Sequence, residues 1–164
     1  MFTHVPFIWS DSTSGGDGGD GGDGDSAGGK RGSRNAEFGQ TLDIGTTILE
    51  HAGIEAPVGM QGEVLTIAGG KGREAVHIQY ETQRTQEAFG ERPRVHTIVH
   101  DRWRLSMYLG KCPNELFDLQ DDPGEMSNLW NSSDHAAIKS SLIERLAEME
   151  IAAANRVPLP TSQA

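Results

Sequence analysis

Two neighbouring segments, Val95–His100 and Trp103–Leu109, constrain the fold of this chain more than any other feature. Trp103, Leu105, Met107 and Leu109 recur at every second position, which is the period of a strand with one buried face. Only Asp101 and Arg102 separate the segments, a spacing that predicts a two-residue β-hairpin. A lone hairpin is marginal in water and needs further strands or a helix on its apolar face. The sequence supplies both. Ala75–Tyr80 alternates Val76, Ile78 and Tyr80 with His77 and Gln79, which predicts a strand with one wetter side. Glu115–Leu119 reads as a short strand ending at the turn Asp121-Asp122-Pro123-Gly124. The segments 95–100, 103–109 and 115–119 together predict an antiparallel meander.

Ile138, Leu142, Leu146, Met149 and Ala153 follow at spacings of three and four, the pattern of an amphipathic helix. Ser133 or Asp134 is suited to cap it, and Asn155, Pro158 and Pro160 stop it. Such a helix is expected to lie across one face of the meander. A shorter helix is expected over Thr41–Ala52, with Leu42, Ile48, Leu49 and Ala52 on one face and Asp43 in its first turn. Thr41 is a candidate cap, and Gly53 followed by Ile54 fits a left-handed helix end. Val58 to Ile67 reads as loop. Ala68–Arg73 resembles a phosphate loop only on the surface, since Lys71 is followed by Gly72 rather than Ser or Thr, and it reads as a turn.

The N-terminal third is different in kind. Val5–Trp9 is a short unbroken apolar run, which suits a strand buried on both faces of a parallel sheet. Gly15 to Gly32 is mostly glycine, aspartate and serine, with nothing apolar to offset its chain entropy. A disordered loop is expected at about 10–36. Its aspartates are potential calcium ligands, but the tract lacks the apolar residue of calcium-binding β-helix repeats and the closing acid of an EF-hand.

The chain has 164 residues and a net charge of −10, so clustered Lys and Arg for nucleic acid or an anionic membrane are not in prospect. It has no apolar run long enough for a transmembrane helix. The first residues show no secretory signal, which sets a cytoplasmic location as the default expectation. One cysteine, Cys112, rules out an internal disulfide and a Cys-only zinc site. Lys111 beside it can lower a thiol pKa, but no base is identifiable near it. Six histidines invite a metal hypothesis. No His-Glu-x-x-His occurs, and His96 and His100 share a strand face only loosely. Asp118, Asp121 and Asp122 surround a Pro-Gly turn and read as turn-forming rather than metal-binding. No Gly-x-Ser-x-Gly elbow is present. Arg84, Arg92 and Arg94 in the polar stretch from Glu81 are weak candidates for meeting anions, against the simpler reading of a solvated loop. Asn131-Ser132-Ser133 matches a glycosylation sequon. No residue is assigned a catalytic or metal role, and substrate-binding residues stay open.

Four stretches together resemble the C-terminal part of the sulfatase family, within the alkaline-phosphatase-like superfamily. They are Val5-Pro-Phe-Ile-Trp-Ser-Asp11, Thr41-Leu-Asp-Ile-Gly-Thr-Thr-Ile-Leu-Glu-His-Ala-Gly-Ile54, Gly59-Met-Gln-Gly-Glu-Val-Leu65, and Arg102-Trp-Arg-Leu105 with Asn114-Glu-Leu-Phe-Asp-Leu-Gln-Asp-Asp-Pro-Gly-Glu-Met-Ser-Asn-Leu-Trp130. The last is the most specific. The resemblance implies hydrolysis of sulfate esters by a formylglycine, made from Cys or Ser in a Cys/Ser-x-Pro-x-Arg motif, with a divalent metal, usually calcium. Those motifs precede the matched stretches in the family, and Cys112-Pro113-Asn114 does not reproduce the nucleophile motif, so no catalytic residue carries over. The expected fold is α/β: a C-terminal fragment of an alkaline-phosphatase-like fold, with one strand and helix of the large sheet domain, then a small antiparallel sheet packed by a C-terminal helix. Residues 1–73 would end the large domain, 74–157 would form the small α+β subdomain, and 158–164 a tail. Phe7, Ile8, Ile48 and Leu49 would be poorly covered. The expected partner is the N-terminal sulfatase portion that carries the nucleophile. The alternative is a non-catalytic interaction module or a non-functional remnant.

Overall fold

The computed structural model describes residues 36–82, 85 and 92–154. The expected Val5–Trp9 strand, the Gly/Asp tract, Arg84 and the tail lie outside the described residues. The elements in order are α1 (Thr41–His51), a single 3₁₀ turn (Thr66–Ala68), β1 (Ala75–Glu81), β2 (Arg94–His100), β3 (Trp103–Leu109), β4 (Glu115–Asp118) and α2 (Ala136–Ala154). The four strands form one sheet in the order β1-β2-β3-β4, every pair antiparallel. The hairpin turns on Asp101 and Arg102, with His100 opposite Trp103 and Asp101 at a positive φ of 52°. Aspartate is among the few non-glycine residues that accept that conformation readily.

Register fixes the two faces of the sheet. Ala75, His77 and Gln79 share a face with His96, Ile98 and His100, with Trp103, Leu105 and Met107, and with Leu116. On it Ala75, Ile98, Leu105 and Leu116 form a core with Leu142 and Leu146 of α2. Trp103, Met107, Trp130, Ile138 and Met149 pack around its rim. Helix α2 therefore lies where its periodicity directs it. Its first turn begins at Ala136, so His135 rather than Ser133 or Asp134 precedes the helix. The alternation makes His77 and Gln79 the expected wetter side of β1. They lie on the face toward α2, where His77 is half-buried, while Gln79 and, on the other face, Tyr80 are exposed. His77 is covered because Ala75 leads that face into the core and α2 brings a carboxylate over the imidazoles.

The opposite face centres on Arg104, which is buried and stacks on Phe117 with its guanidinium 4.8 Å from the ring centroid. Arg104 pairs with Glu115 at 3.1 Å and Glu125 at 2.8 Å, and donates to Ser106 Oγ at 2.7 Å. Thr97 and Ser106 hydroxyls meet at 2.8 Å beside it. The Nη1 and Nη2 groups of Arg104 have hydrogen-bond acceptors and its Nε faces the Glu125 carboxylate without a hydrogen bond, so charge pairing carries much of what burial of an arginine requires.

Helix α1 starts at Thr41, so its N-cap is Gln40, one residue before the expected cap. Asp43 sets that position by accepting the Gln40 backbone N–H at 2.8 Å. Its C-terminus is a Schellman end: Gly53 N–H donates to the Glu50 carbonyl, Ile54 N–H to the Leu49 carbonyl, and Gly53 has φ 68°. The face buried is not the apolar one. Asp43, Thr46 and Thr47 are buried, whereas Leu42 is 41% and Ile48 52% exposed. The expectation that Ile48 would be poorly covered agrees with this exposure.

Candidate functional site

Beside the Arg104 centre, three further groups of polar side chains converge among the described residues. The first is built on α1. The Asp43 carboxylate accepts from the backbone N–H groups of Gln40 and Glu63, both at 2.8 Å, and from Arg73 Nε and Nη2 at 2.7 and 2.5 Å. Thr47 Oγ1 donates to the Asp43 carbonyl and accepts the Leu65 N–H. Desolvation alone would raise the Asp43 pKa; the hydrogen bonds from Arg73, Glu63 and Gln40 outweigh it and hold the carboxyl below its ordinary range. Gly62 has to be glycine here, since a Cβ would sit 2.3 Å from the Leu42 carbonyl oxygen and from Thr46 Oγ1. The stretches Thr41–Ile54 and Gly59–Leu65 are thus one structural unit, closed by Arg73.

The second group is the acidic turn. Asp118 binds Arg102 side-on through Nε at 2.6 Å and through Nη2, and also caps the Gln120 and Asp121 N–H groups. Asp121 takes Arg102 Nη2 at 2.6 Å, and Asp122 accepts the Ser127 N–H at 2.7 Å. Asn128 Oδ1 accepts from Leu116 and Trp130 N–H groups. The most specific of the four stretches thus spends its polar side chains on holding β4 and the turn in place. Burial, with the Glu115 charge, pushes the Tyr108 phenol up to about 12.

The third group was not found from the sequence. His77 on β1, His96 on β2 and Glu150 on α2 bring one ligand-type atom each within 4.8 Å of one another. His77 Nε2 lies 2.7 Å from Glu150 Oε1, and His96 Nδ1 contacts the same oxygen. Gln79 Nε2 donates to Glu150 Oε2 at 2.9 Å, and Glu81 Oε1 stands 3.6 Å from His96 Nε2. Burial lowers the His77 pKa, against the opposing pull of Glu150. Desolvation would raise Glu150, but His96 and His77 outweigh it and lower it. The signal available in the sequence was the shared parity of His77 and His96 once the β1–β2 register is known, since Gln79 faces His96. His100 shares the strand face of His96, four residues on and about 13 Å away along the strand, and lines a shallow hollow with Phe38 and Arg73 instead.

Cys112 is half-buried in its turn, and Arg92, Arg94 and Asn131 are exposed. Among the described residues, no helix is long and apolar enough to cross a membrane.

This architecture, a four-stranded meander under one long helix, is that of the C-terminal part of sulfatases of the alkaline-phosphatase-like fold. The profile described as N-sulphoglucosamine sulphohydrolase, C-terminal, matches residues 27–152. The chain belongs to that family. It is 24% identical over 137 residues to an N-acetylglucosamine-6-O-sulfatase of Bacteroides thetaiotaomicron, a match spanning 74% of this chain and 23% of the relative. It superposes on a 2-O GAG sulfatase with a TM-score of 0.60 at 24% identity, covering 70% of this chain and 25% of that one. A phosphonate monoester hydrolase from Silicibacter pomeroyi matches at TM-score 0.57 and 24% identity, over 66% of this chain and 24% of that one. The chain spans about a quarter of the length of these relatives.

Sulfatases generally use a formylglycine and a divalent metal. Among the described residues, the cluster suited to an ion, His77, His96 and Glu150, lacks the oxygen donors that calcium takes, and the nucleophile motif is missing as well. No Cys/Ser-x-Pro-x-Arg occurs in these 164 residues. The oxygens of Asp43, Asp118 and Asp121 are already engaged by Arg73 and Arg102.

Proposed function

We propose that this chain serves as the C-terminal part of a sulfate-ester hydrolase and does not turn over sulfate esters without a portion that carries the nucleophile and metal. The observation that carries this reading is the family match over residues 27–152, in a sequence without the nucleophile motif. The exposed apolar residues of the first segment support it. Leu42, Ile48, Ile54 and Val58 form an uncovered set that suits contact with the rest of a large α/β domain. We place the boundary between that domain and the small subdomain at 73/74. Arg73 bonds back to Asp43, Glu63 and the Gln61 carbonyl, whereas Glu74 bonds forward to Arg145 of α2. The relatives named for N-acetylglucosamine-6-O- and 2-O-GAG sulfate esters make sulfated sugars the first substrates to try.

The test is complementation. The purified chain is assayed on 4-methylumbelliferyl sulfate and glucosamine-6-sulfate, alone and co-expressed with the N-terminal portion of a family sulfatase and its formylglycine-generating enzyme. Turnover only in the second arm is the expected result. Turnover by the purified chain alone, or none in a second arm whose two pieces co-purify, overturns the reading.

A further inference from the structure

We propose that His77, His96 and Glu150 form a divalent-cation site of the zinc class, clamping the last turns of α2 to strands β1 and β2. Four observations carry it. First, two imidazole nitrogens and one carboxylate oxygen converge from three different elements, with their ligand atoms within 4.8 Å. A tetrahedral zinc with bonds of about 2.0–2.2 Å sets its ligand atoms roughly 3.3 Å apart; here His77 Nε2 stands 2.7 Å from Glu150 Oε1 and His96 Nδ1 is closer still, so the carboxylate has to draw back as the ion enters. Second, His77 Nε2 is buried and has no hydrogen-bond partner. It faces Glu150 Oε1 at 2.7 Å but out of line for a hydrogen bond. A buried ring nitrogen left this way is costly unless something accepts its lone pair or proton, and a cation between the two atoms does so. Third, an outer layer is in place. Gln79 holds the other carboxylate oxygen at 2.9 Å, and Glu81 stands 3.6 Å from the far nitrogen of His96, the arrangement that orients metal-binding imidazoles. Fourth, Glu150 is on the half-exposed side of a helix, so its carboxylate has room to withdraw the roughly one ångström that an ion needs.

The donor set selects the metal. Calcium takes six to eight oxygens, which this site lacks, whereas two imidazoles and a carboxylate suit zinc or cobalt. The existence of the site does not depend on the sulfatase reading. Its three protein ligands would leave a fourth position for water. Its role is a cross-link: α2 meets the sheet mainly through Leu142 and Leu146, and the cation would fix the turn that follows.

The metal-free 164-residue chain is titrated with cobalt chloride and followed by its visible ligand-field bands, then with zinc chloride to displace them. Thermal melting is recorded with and without zinc. The expected result is saturation at one equivalent, bleaching by zinc, and a melting temperature raised by zinc. Glu150→Gln and His96→Gln each weaken cobalt binding by at least about tenfold, since even outer-layer partners of metal ligands are worth that much. His100→Gln, outside the cluster, leaves it unchanged. If His77→Gln does not fold, the half-exposed Glu150 variant decides the matter. Absence of bands in the wild-type chain, bands that persist in the Glu150→Gln and His96→Gln variants, or stabilisation by calcium chloride in place of zinc overturns the proposal.

Discussion

Residues 36–73 and residues 74–154 are held together by opposite means. The second region buries Ile98, Leu105, Leu116, Leu142 and Leu146 in a core of its own making. The first buries an ion pair and two threonines and turns Leu42 and Ile48 outward. Apolar burial scales with area and tolerates small shifts, whereas a buried carboxylate with four donors depends on every donor being in place. The difference teaches that amphipathic pattern directs a helix to a partner only when the partner is present. Helix α2 has its sheet. Helix α1 is instead fixed by Asp43.

The comparison can be broken or sharpened by measurement. The largest effect is expected for Leu105→Ala, which opens a cavity at a fully buried position and costs about 3–5 kcal/mol, read as a loss of denaturant midpoint. Asp43→Ala leaves Arg73 with only the exposed Glu63 and the Gln61 carbonyl and costs about 3 kcal/mol, because a buried charge that loses its buried partner is strongly destabilising. Hydrogen exchange should place that loss at the Glu63 and Leu65 amides and spare β2 and β3; equal loss in both regions would show that they unfold as one. Gly62→Ala is expected to cost about 1–3 kcal/mol by overpacking against α1, while leaving Leu105 protection unchanged.

Acid should separate the regions next. His77 sits below its ordinary value of 6.5, so the unfolded chain binds a proton more readily. Stability of the sheet region is full above 6.5 and declines as pH falls through the interval to the folded value. Asp43 is held below its ordinary 3.8, so its contribution is present above about 4 and is lost as pH falls through the folded value. Glu150, lowered from 4.5, adds to the acid loss in the sheet region. Melting curves from pH 8 to 3 test the order, and a wild-type pH dependence between 7 and 5 that survives in His77→Gln would contradict it. The smallest effect is expected for Ile48→Ser. Exposed as it is, it should change the stability of this chain by no more than about 0.5 kcal/mol. The same change should weaken association with a complementing sulfatase portion.

Much of the fold was legible. The two-residue spacing at Asp101-Arg102 forces a hairpin, and a period of two leaves no other face for Leu105. Leu142 and Leu146 lie four apart on a helix and fall on one stripe whatever the surroundings. The Gly53 end of α1 was equally local, since only its φ is at issue. The buried side of α1 was not legible. Asp43 looked like a first-turn acid favouring the helix dipole, and nothing near it in sequence announces Arg73, 30 residues on. What the polar side of β1 faces was hidden for the same reason. His77 and Gln79 are polar by type, and only the pairing with β2 and the path of α2 show what they face.

The sequence by itself determined which segments become strands and helices, and which stripe of α2 meets the sheet. These follow from backbone period and side-chain volume, both local properties. The tertiary structure alone decided that Asp43 and Arg73 close the first region and that His77, His96 and Glu150 meet. Glu150 is 54 residues from His96. Such convergence is set by strand register and helix crossing, and neither leaves a mark in the spacing of the residues it unites.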